Sequence, residues 1–290
     1  MVDLILRVNR LHDHLGPVPT TSRWGRPEPG PLPPPGERMR IRATVAAVSG
    51  ALALTALAAP VAQADGGYGD TTITKVVVDG DNKVSVGTSS PKTIKVSVTA
   101  KDDSGIQGAE PFVLKGPDHG YFTTGKPSCK ATSSTTSTCT ASVLVDPKVD
   151  YLYNTNAGTW YVDAWIDAKD DDFVWREKAG SFKFQRASQL TVNASPEPVK
   201  KGKTITVTGK LSRANWETGK YAGYTGQSVK LQFRMKNSST YTTLKTIKTD
   251  SKGNLKTTVK ASADGYFRYS FAGTTTTPAV NATGDFVDVK

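Results

Sequence analysis

The chain contains 290 residues, and its 37 Lys and Arg against 26 Asp and Glu give a formal net charge of +11. Both cysteines but only one of the three histidines lie beyond residue 64. This composition leaves too few nitrogen and sulfur ligands for a zinc site in that part, and it offers a single histidine for catalysis of the Ser/His/Asp type.

Residues 1–38 do not look like the beginning of an exported protein. Eight prolines fall between Pro17 and Pro35, and such a composition cannot build a packed core. The charged start of a secretory signal also belongs within a few residues of the amino terminus. We therefore expect translation to start at Met39, and residues 1–38 to be a disordered upstream extension assigned by an early start site.

Residues 39–64 have the pattern of a signal peptide. Arg40 and Arg42 supply the positive start, residues 46–59 form an apolar run, and residues 62–64 read Ala-Gln-Ala, the small-x-small pattern of a cleavage site. The run is short and rich in alanine for a membrane-spanning helix. The sequence predicts cleavage after residue 64 and a mature protein without membrane attachment, either secreted to the medium or associated with the cell wall.

Charge divides the remaining chain in two. Residues 65–187 hold 14 basic and 16 acidic side chains, a net of −2, whereas residues 188–290 hold 16 basic and 6 acidic ones, a net of +10. Such asymmetry is typical of two domains with different surfaces. We therefore predict one domain over residues 65–187 and a second over residues 188–290. No long flexible linker separates them, which favours a stiff junction near Ser188.

Cys129 and Cys139 are the only cysteines of the chain. Outside the cell, an even pair at such short spacing is typical of a disulfide. Closing so short a loop contributes roughly 2–3 kcal/mol to stability by restricting the unfolded chain. The bond is predicted to join neighbouring strands on either side of a Ser/Thr-rich loop at residues 133–137.

Apolar residues alternate with polar ones along most of residues 65–187. Ile94 and Val96, for example, alternate with Lys95 and Ser97, so that one face of the strand is buried and the other is wet. Turn sequences separate such segments, and no convincing helical period occurs. The pattern predicts an antiparallel β-sandwich with strands at residues 72–78, 93–100, 111–115, 128–131, 138–145, 160–167, 173–176 and 181–184.

The same alternation fills residues 188–290. A short strand around Leu190 and Val192 opens the domain, and Gly253 is placed to take the positive φ of a tight hairpin turn. Six more strands are predicted at residues 204–211, 229–233, 242–249, 255–259, 266–271 and 286–289. Seven strands is the number found in an immunoglobulin-like sandwich. The predicted fold class is therefore all-β, with two tandem antiparallel immunoglobulin-like β-sandwiches after a signal peptide.

The first domain resembles bacterial immunoglobulin-like domains. Residues 93–106, an alternating strand that runs into a Lys-Asp-Asp-Ser-Gly-Ile loop, look like the second strand and following loop of such domains. Residues 158–162, Gly-Thr-Trp-Tyr-Val, look like the sixth strand. The cysteines do not lie on those two strands, so the antibody hallmark is absent and the likeness is one of architecture.

The second domain is similar to the immunoglobulin-like repeat of exported proteins from high-GC Gram-positive bacteria. The segments that carry the similarity are residues 202–211, 249–253, 264–268, 271–273 and 285–289. The resemblance implies the sandwich fold and an extracellular or wall-associated location. Some such proteins are described as calcium-binding and others are stalks or wall modules, and they share no catalytic motif.

The resemblance also implies that two acidic loops meet. Loops that follow the second and sixth strands lie at one end of an immunoglobulin fold. Converging carboxylates repel one another unless a cation or water screens them. Calcium is the natural cation because it takes six to eight oxygen ligands from loops, although the spacing is not that of an EF-hand and solvated aspartates are the alternative. The predicted ligands are Asp102, Asp103, Asp170, Asp171 and Asp172.

An aromatic and basic loop spans residues 213–226. It contains Trp216, Tyr221 and Tyr224 as candidate ligand-binding residues. Flat rings on a loop can stack on sugars, and the net charge of +10 attracts anionic polymers such as teichoic acids. The alternative is that the rings cap the sandwich while the lysines keep it soluble. A nucleic-acid partner is not predicted, because no recognisable nucleic-acid module accompanies the charge.

These features favour a secreted, non-catalytic binding or structural protein that contacts anionic cell-wall polymers or other surface proteins. A calcium-binding module built on the acidic loops is the first alternative. A carbohydrate-active enzyme or carbohydrate-binding module is the second, because Asp163 and Asp167 share a strand face with Trp165. His119 lies in a Gly-Pro-Asp-His-Gly turn, where exposure to solvent is expected.

Overall fold

The computed structural model describes residues 65–290. The predicted extension at residues 1–38 and the predicted signal peptide at residues 39–64 lie outside the described residues. Within the described part the regular structure is almost entirely strand, with one short 3-10 turn at Asn154–Asn156. This part contains no helix of the length and apolarity needed to cross a bilayer.

Eleven strands form the first sandwich. In chain order they are β1 (Asp65–Tyr68), β2 (Thr72–Val78), β3 (Lys83–Val86), β4 (Lys92–Lys101), β5 (Ile106–Ala109), β6 (Val113–Lys115), β7 (Tyr121–Thr123), β8 (Ser128–Ala131), β9 (Thr136–Val145), β10 (Gly158–Ala168) and β11 (Phe173–Arg186). One sheet has the order β2-β4-β9-β8. The other has the order β1-β11-β10-β6-β7, with β3 added at β11 and β5 added at β10.

This order is that of an immunoglobulin fold, in which a sheet of strands A, B, E and D packs on a sheet that contains C, F and G. β2, β4, β9 and β8 occupy the first set of positions, and β6, β10 and β11 occupy the second. The pairs are antiparallel except that β3 runs parallel to β11.

The first core is built around Trp160 on β10, which is fully buried. Its ring lies 4.7 Å from the ring of Phe184 and stacks on Phe122 at 5.4 Å between centroids. Its indole Nε1 donates a hydrogen bond of 2.7 Å to the carbonyl oxygen of Asn156. The largest apolar side chain of this core therefore has its one polar group satisfied, as buried tryptophan requires.

The predicted disulfide is confirmed. Cys129 on β8 and Cys139 on β9 are bonded to each other, and the two residues lie directly opposite in the antiparallel pair. Cys139 is fully buried. The bond therefore ties the edge strand β8 to the sheet beside the Ser/Thr-rich loop, and it is typical of a protein that works outside the cytoplasm.

Ten strands form the second sandwich. They are β12 (Ser188–Leu190), β13 (Asn193–Ser195), β14 (Thr204–Asn215), β15 (Lys220–Gly223), β16 (Ser228–Met235), β17 (Thr242–Lys248), β18 (Asn254–Lys260), β19 (Gly265–Phe271), β20 (Val280–Asn281) and β21 (Asp285–Val287). β14 pairs with β12, β13, β15 and β18, and a second sheet has the order β17-β16-β19-β20 with β21 added at β19.

The second sandwich repeats the first in its pairing. β13, β14 and β18 stand where strands A, B and E of an immunoglobulin fold stand, and β16, β19 and β21 take the positions of C, F and G. Val199 and Val289 form a parallel bridge, as β3 and β11 do in the first sandwich. The predicted all-β class of tandem antiparallel immunoglobulin-like sandwiches is confirmed for the described residues.

Tyr269 on β19 occupies the centre of the second core and is fully buried. Its hydroxyl donates a hydrogen bond of 2.9 Å to the carbonyl oxygen of Val207 on β14. Burial raises the pKa of Tyr269 well above its ordinary value, so the phenol stays protonated and keeps this donor. The hydrogen bond joins the two sheets of the sandwich at a point where both are otherwise apolar.

The structure corrects the predicted strand pattern in three respects. Strands β1, β3, β5, β7, β15 and β20 were not predicted. The strand predicted around Leu190 and Val192 is divided into β12 and β13, so the second sandwich has ten strands rather than seven. The two strands predicted at residues 173–176 and 181–184 form the single strand β11. Lys178 has a positive φ of 54° at the irregularity between them, and its backbone N–H donates to Oδ1 of Asp163 at 2.9 Å. The side-chain acceptor on β10 carries the pairing across the bulge, so the chain does not turn there.

Candidate functional site

Three segments bring acidic side chains to one end of the first sandwich. Asp102 and Asp103 follow β4, Asp170 and Asp172 lie between β10 and β11, and Asp70 precedes β2. Ligand oxygens of Asp70, Asp102 and Asp103 lie within 4.8 Å of one another, and so do those of Asp102, Asp170 and Asp172. The two loops therefore meet, as the immunoglobulin arrangement implied.

Asp102 belongs to both groups and is 1% exposed. Its Oδ2 accepts a hydrogen bond of 2.6 Å from Thr71 Oγ1. Its Oδ1 accepts one of 2.9 Å from the backbone N–H of Ser104 and one of 2.5 Å from Ser104 Oγ. Burial alone would raise the pKa of Asp102, but the hydrogen bonds from Ser104 and Thr71 outweigh it and hold the pKa below its ordinary value.

Asp70 is the member of the cluster that sequence reasoning missed. Desolvation, followed by the charges of Asp103 and Asp102, raises the pKa of its exposed carboxyl. The signal for its position is the register of β2 against β4, in which Thr72 lies opposite Lys101. Because the strands are antiparallel, the residues before Thr72 lie beside those after Lys101. This pairing belongs to the tertiary structure, and the spacing of residues in the sequence does not predict it.

Asp171 is a predicted ligand that neither acidic group includes. It lies between Asp170 and Asp172 with a positive φ of 69° and is exposed. Asp172 Oδ2 accepts a hydrogen bond of 3.0 Å from the backbone N–H of Asp70. The loop thus directs its first and third carboxylates to the cluster and leaves the middle one outside, in the way that alternate residues of a turn diverge.

The aromatic loop of the second sandwich does not present its tryptophan to a ligand. Trp216 follows β14 and is only 5% exposed, because its ring packs in the core of the first sandwich, 5.3 Å from the ring of Phe184. Its Nε1 donates a hydrogen bond of 3.2 Å to the carbonyl oxygen of Val86. Expecting this ring to stack on a sugar is therefore wrong: the first core extends past Ser188 and includes Trp216.

Tyr221 and Tyr224 are also packed rather than displayed. Tyr221 is partly buried against the first core, and burial raises the pKa of its hydroxyl. Tyr224 meets Phe271 edge-on at 5.8 Å, and the Arg213 guanidinium lies 3.9 Å from the centre of its ring. Both rings contact other side chains of the protein, which agrees with the alternative that the loop caps one end of a sandwich.

The carboxylates and the histidine considered for catalysis have structural surroundings. Asp163 is 6% exposed and forms an ion pair of 2.7 Å with Lys115. Asp167 Oδ1 accepts a hydrogen bond of 2.7 Å from Trp165 Nε1. His119 is exposed, with a positive φ of 60° in its turn. Asp163 and Asp167 are thus engaged in contacts within the first sandwich, whereas His119 lines a small depression together with Asp118 and Asp150.

No protein-family profile matches the chain, and no curated protein matches it significantly. Solved structures are similar to it at low identity. A DUF4785 family protein from Legionella pneumophila is 13% identical, with a TM-score of 0.35 over 67% of this chain and 51% of that one. The Yersinia pseudotuberculosis adhesin InvE is 13% identical, with a TM-score of 0.25 over 75% and 58%.

The D0-D1 domain of intimin is 16% identical, with a TM-score of 0.25 over 74% of this chain and 98% of that one. The chain spans 51% and 58% of the length of the Legionella and Yersinia structures. At these identities and scores the similarity gives no information about ligands or partners. None of the three is named as a protein of high-GC Gram-positive bacteria, so that resemblance stays a prediction.

Replacing Trp216 with alanine tests the extension of the first core into the second sandwich. Loss of a buried tryptophan ring is expected to lower the free energy of unfolding by about 3–5 kcal/mol, measured by urea denaturation followed by circular dichroism. Trp165→Ala is the matched control, because Trp165 is 37% exposed and stacks only on Phe173, so its loss costs about 1 kcal/mol. Equal, small effects of the two substitutions would contradict the burial of Trp216.

Proposed function

We propose that this protein is a secreted, non-catalytic binding or structural protein of the cell envelope or medium, whose second sandwich contacts anionic wall polymers or other acidic surfaces. The observation that supports the proposal is that the positive charge of residues 188–290 is not neutralised by neighbouring carboxylates. All thirteen lysines of residues 188–290 are exposed. Among the described residues of that half, one salt bridge lies within 4.0 Å, in which Lys290 Nζ is 3.9 Å from Asp288 Oδ2.

Part of this charge lies on one outward surface. Lys256 and Lys260 alternate with Thr258 on β18 and lie opposite Thr208 and Thr204 of β14. Lys210 on β14 and Lys245 on β17 are exposed nearby, and Lys245 Nζ donates a hydrogen bond of 2.8 Å to the carbonyl oxygen of Thr258. We call the four lysines Lys210, Lys245, Lys256 and Lys260 the basic face.

The basic face supports binding to polyanions rather than to a compact ligand. Its side chains are threonine hydroxyls and lysine ammonium groups on a sheet surface. Such a surface attracts an anionic polymer over roughly one Debye length, about 10 Å at 0.1 M salt, and the attraction weakens as salt rises. A non-catalytic role is favoured because Asp163 and Asp167, the carboxylate pair considered for glycoside chemistry, are engaged in contacts within the first sandwich.

Reversing charge on the basic face tests this function. Lys256→Glu combined with Lys260→Glu is expected to lower the salt concentration that releases the protein from purified cell wall, because two attractions become repulsions. The measurement is elution from a wall pellet by increasing NaCl. Lys126→Glu with Lys130→Glu is the matched control, since both are exposed lysines of the first sandwich and the charge change is equal. Unaltered elution of the first variant, or equal loss in both, would contradict the proposal.

We infer calcium binding at the acidic end of the first sandwich as a second candidate function. The favouring observation is that five carboxylates from three segments converge, with ligand oxygens of Asp102 within 4.8 Å of those of both partner sets. Oxygen donors alone suit a hard cation of high coordination number. A bound cation would relieve the repulsion from Asp103 and Asp102 that helps to raise the pKa of Asp70.

Asp172→Asn is expected to weaken calcium binding at least tenfold, whereas Asp171→Asn changes it little. The two residues are neighbours in one loop, but only Asp172 belongs to an acidic group, and asparagine tolerates the positive φ at position 171. Isothermal titration with calcium chloride measures both. Because the raised pKa of Asp70 means that protons compete there, affinity should fall as pH falls through that pKa. Absence of calcium heat at neutral pH would rule out this function without affecting the basic face.

A further inference from the structure

A groove of about 570 Å³ opens between the outer edge of the first sandwich and the second. One wall consists of outward residues of β3 and β11, among them Lys83, Ser85 and Lys183, together with Asp81. The other wall consists of residues 272–275, 278 and 279, in the segment that connects β19 to β20. The groove therefore exists only where both sandwiches contribute, and it lies apart from the basic face and the acidic end.

Two lysines face each other in this groove. β3 and β11 are parallel, and their register places Lys83 directly opposite Lys183, with both side chains on the exposed face. Like charges at directly opposite positions of neighbouring strands repel each other. The Asp81 carboxylate lies 3.5 Å from Lys83 Nζ and is well exposed. It therefore offsets the repulsion between the two lysines only weakly. An anion between the two ammonium groups would remove this repulsion.

Gln185 supplies a second, independent feature of the groove. It is next along the outward side of β11 after Lys183 and is 2% exposed. Its Nε2 donates a hydrogen bond of 2.8 Å to the carbonyl oxygen of Thr274, but its Oε1 has no hydrogen-bond partner among the described residues. A buried acceptor without a donor is rare in folded proteins, and a ligand hydroxyl is the group that would satisfy it.

The wall formed by the second sandwich is held in place by the first. The backbone N–H of Arg186 donates to the carbonyl oxygen of Thr276 at 3.0 Å, and Ser188 Oγ donates to that of Pro278 at 3.0 Å. Gly273 turns the segment with a φ of 82°, where a Cβ would lie 2.6 Å from the backbone nitrogen of Ala279. The groove is thus formed before any ligand arrives, which lowers the entropy that binding must overcome.

The groove continues past the lysine pair. A second depression of about 250 Å³ is lined by the same Asp81, Lys83 and Lys183 and also by Thr159 and Ser181. A chain-like ligand can therefore lie along the surface with its charged group at the lysines and hydroxyl groups on either side. Lysine binds phosphate as a point charge, and the same two lysines line both depressions.

We propose that this groove binds a segment of a polyol phosphate chain, with one phosphate between Lys83 and Lys183 and a neighbouring hydroxyl donating to Gln185 Oε1. This inference rests on the proposed function and gives it a specific ligand class. The basic face then supplies long-range attraction, and the groove selects among polyanions. The occupant is a polymer of alternating phosphates and hydroxylated carbons rather than a uniformly charged chain.

The test is isothermal titration of the full chain with poly(glycerol phosphate). Lys183→Glu is expected to weaken binding at least tenfold, because one ammonium beside the phosphate becomes a carboxylate. Lys256→Glu on the basic face makes the same charge change and is expected to weaken binding less than about threefold, since it acts through screened attraction. Circular dichroism verifies that both variants are folded.

A second arm tests the hydroxyl contact. sn-Glycerol 3-phosphate is expected to bind several-fold tighter than n-propyl phosphate and to shift the side-chain amide resonances of Gln185 in NMR spectra. Equal affinity for these two compounds, or tighter binding of polygalacturonate than of poly(glycerol phosphate), would overturn the assignment of the ligand.

The possible outcomes distinguish failure of the groove as the binding site from failure of the proposed function. If the native chain binds poly(glycerol phosphate) but Lys183→Glu and Lys256→Glu weaken it equally, the groove is not the site and general polyanion binding stands. If the native chain binds neither the polymer nor purified cell wall, both proposals fail.

Discussion

The insertion of Trp216 into the core of the first sandwich is the contact on which the rest of the structure depends. The ring leaves the end of β14, crosses to Phe184 and donates to the carbonyl oxygen of Val86. Around it the backbone of Ala214 donates to Ala187 at 2.8 Å. A junction built from a buried aromatic ring and backbone hydrogen bonds resembles the inside of a domain more than a contact between separate ones.

Arg186 is a charged side chain that is buried at the junction of the two sandwiches. Its side chain is 8% exposed, and its Nε donates a hydrogen bond of 2.6 Å to the carbonyl oxygen of Ala214. Desolvation, with the charge of Arg213 second, lowers the pKa of Arg186 to about 10. Burying a guanidinium beside another one is unfavourable unless its donors are satisfied, and here a carbonyl oxygen of the second sandwich satisfies one. The backbone N–H of Arg186 donates to the carbonyl oxygen of Thr276 and so holds the segment that walls the groove.

The sequence alone identified most of the strands, because buried side chains alternate with solvent-exposed ones along each strand. It also identified the disulfide and the meeting of the acidic loops, since local spacing and the immunoglobulin arrangement determine both. It failed where a residue's neighbours come from another part of the chain. The buried positions of β14 change phase between Leu211 and Ser212 and then alternate through Ala214 to Trp216, yet the pattern does not say which core the ring enters.

The same limit applies to the groove. Lys83 and Lys183 are a hundred positions apart in the sequence, and only the parallel pairing of β3 with β11 places them opposite each other. Asp70 joins the acidic cluster through the register of β2. Nothing in the composition distinguishes Gln185 from other glutamines until Thr274 of the second sandwich meets its amide nitrogen.

Amide nitrogen relaxation by NMR tests most directly whether the two sandwiches form one body. If the Trp216 junction holds them together, amides in β4 and β10 of the first sandwich report the same rotational correlation time as amides in β16 and β19 of the second. That shared value should be the one expected for a single particle of the combined size. Two different and shorter correlation times would mean that the sandwiches tumble independently, and would contradict the account.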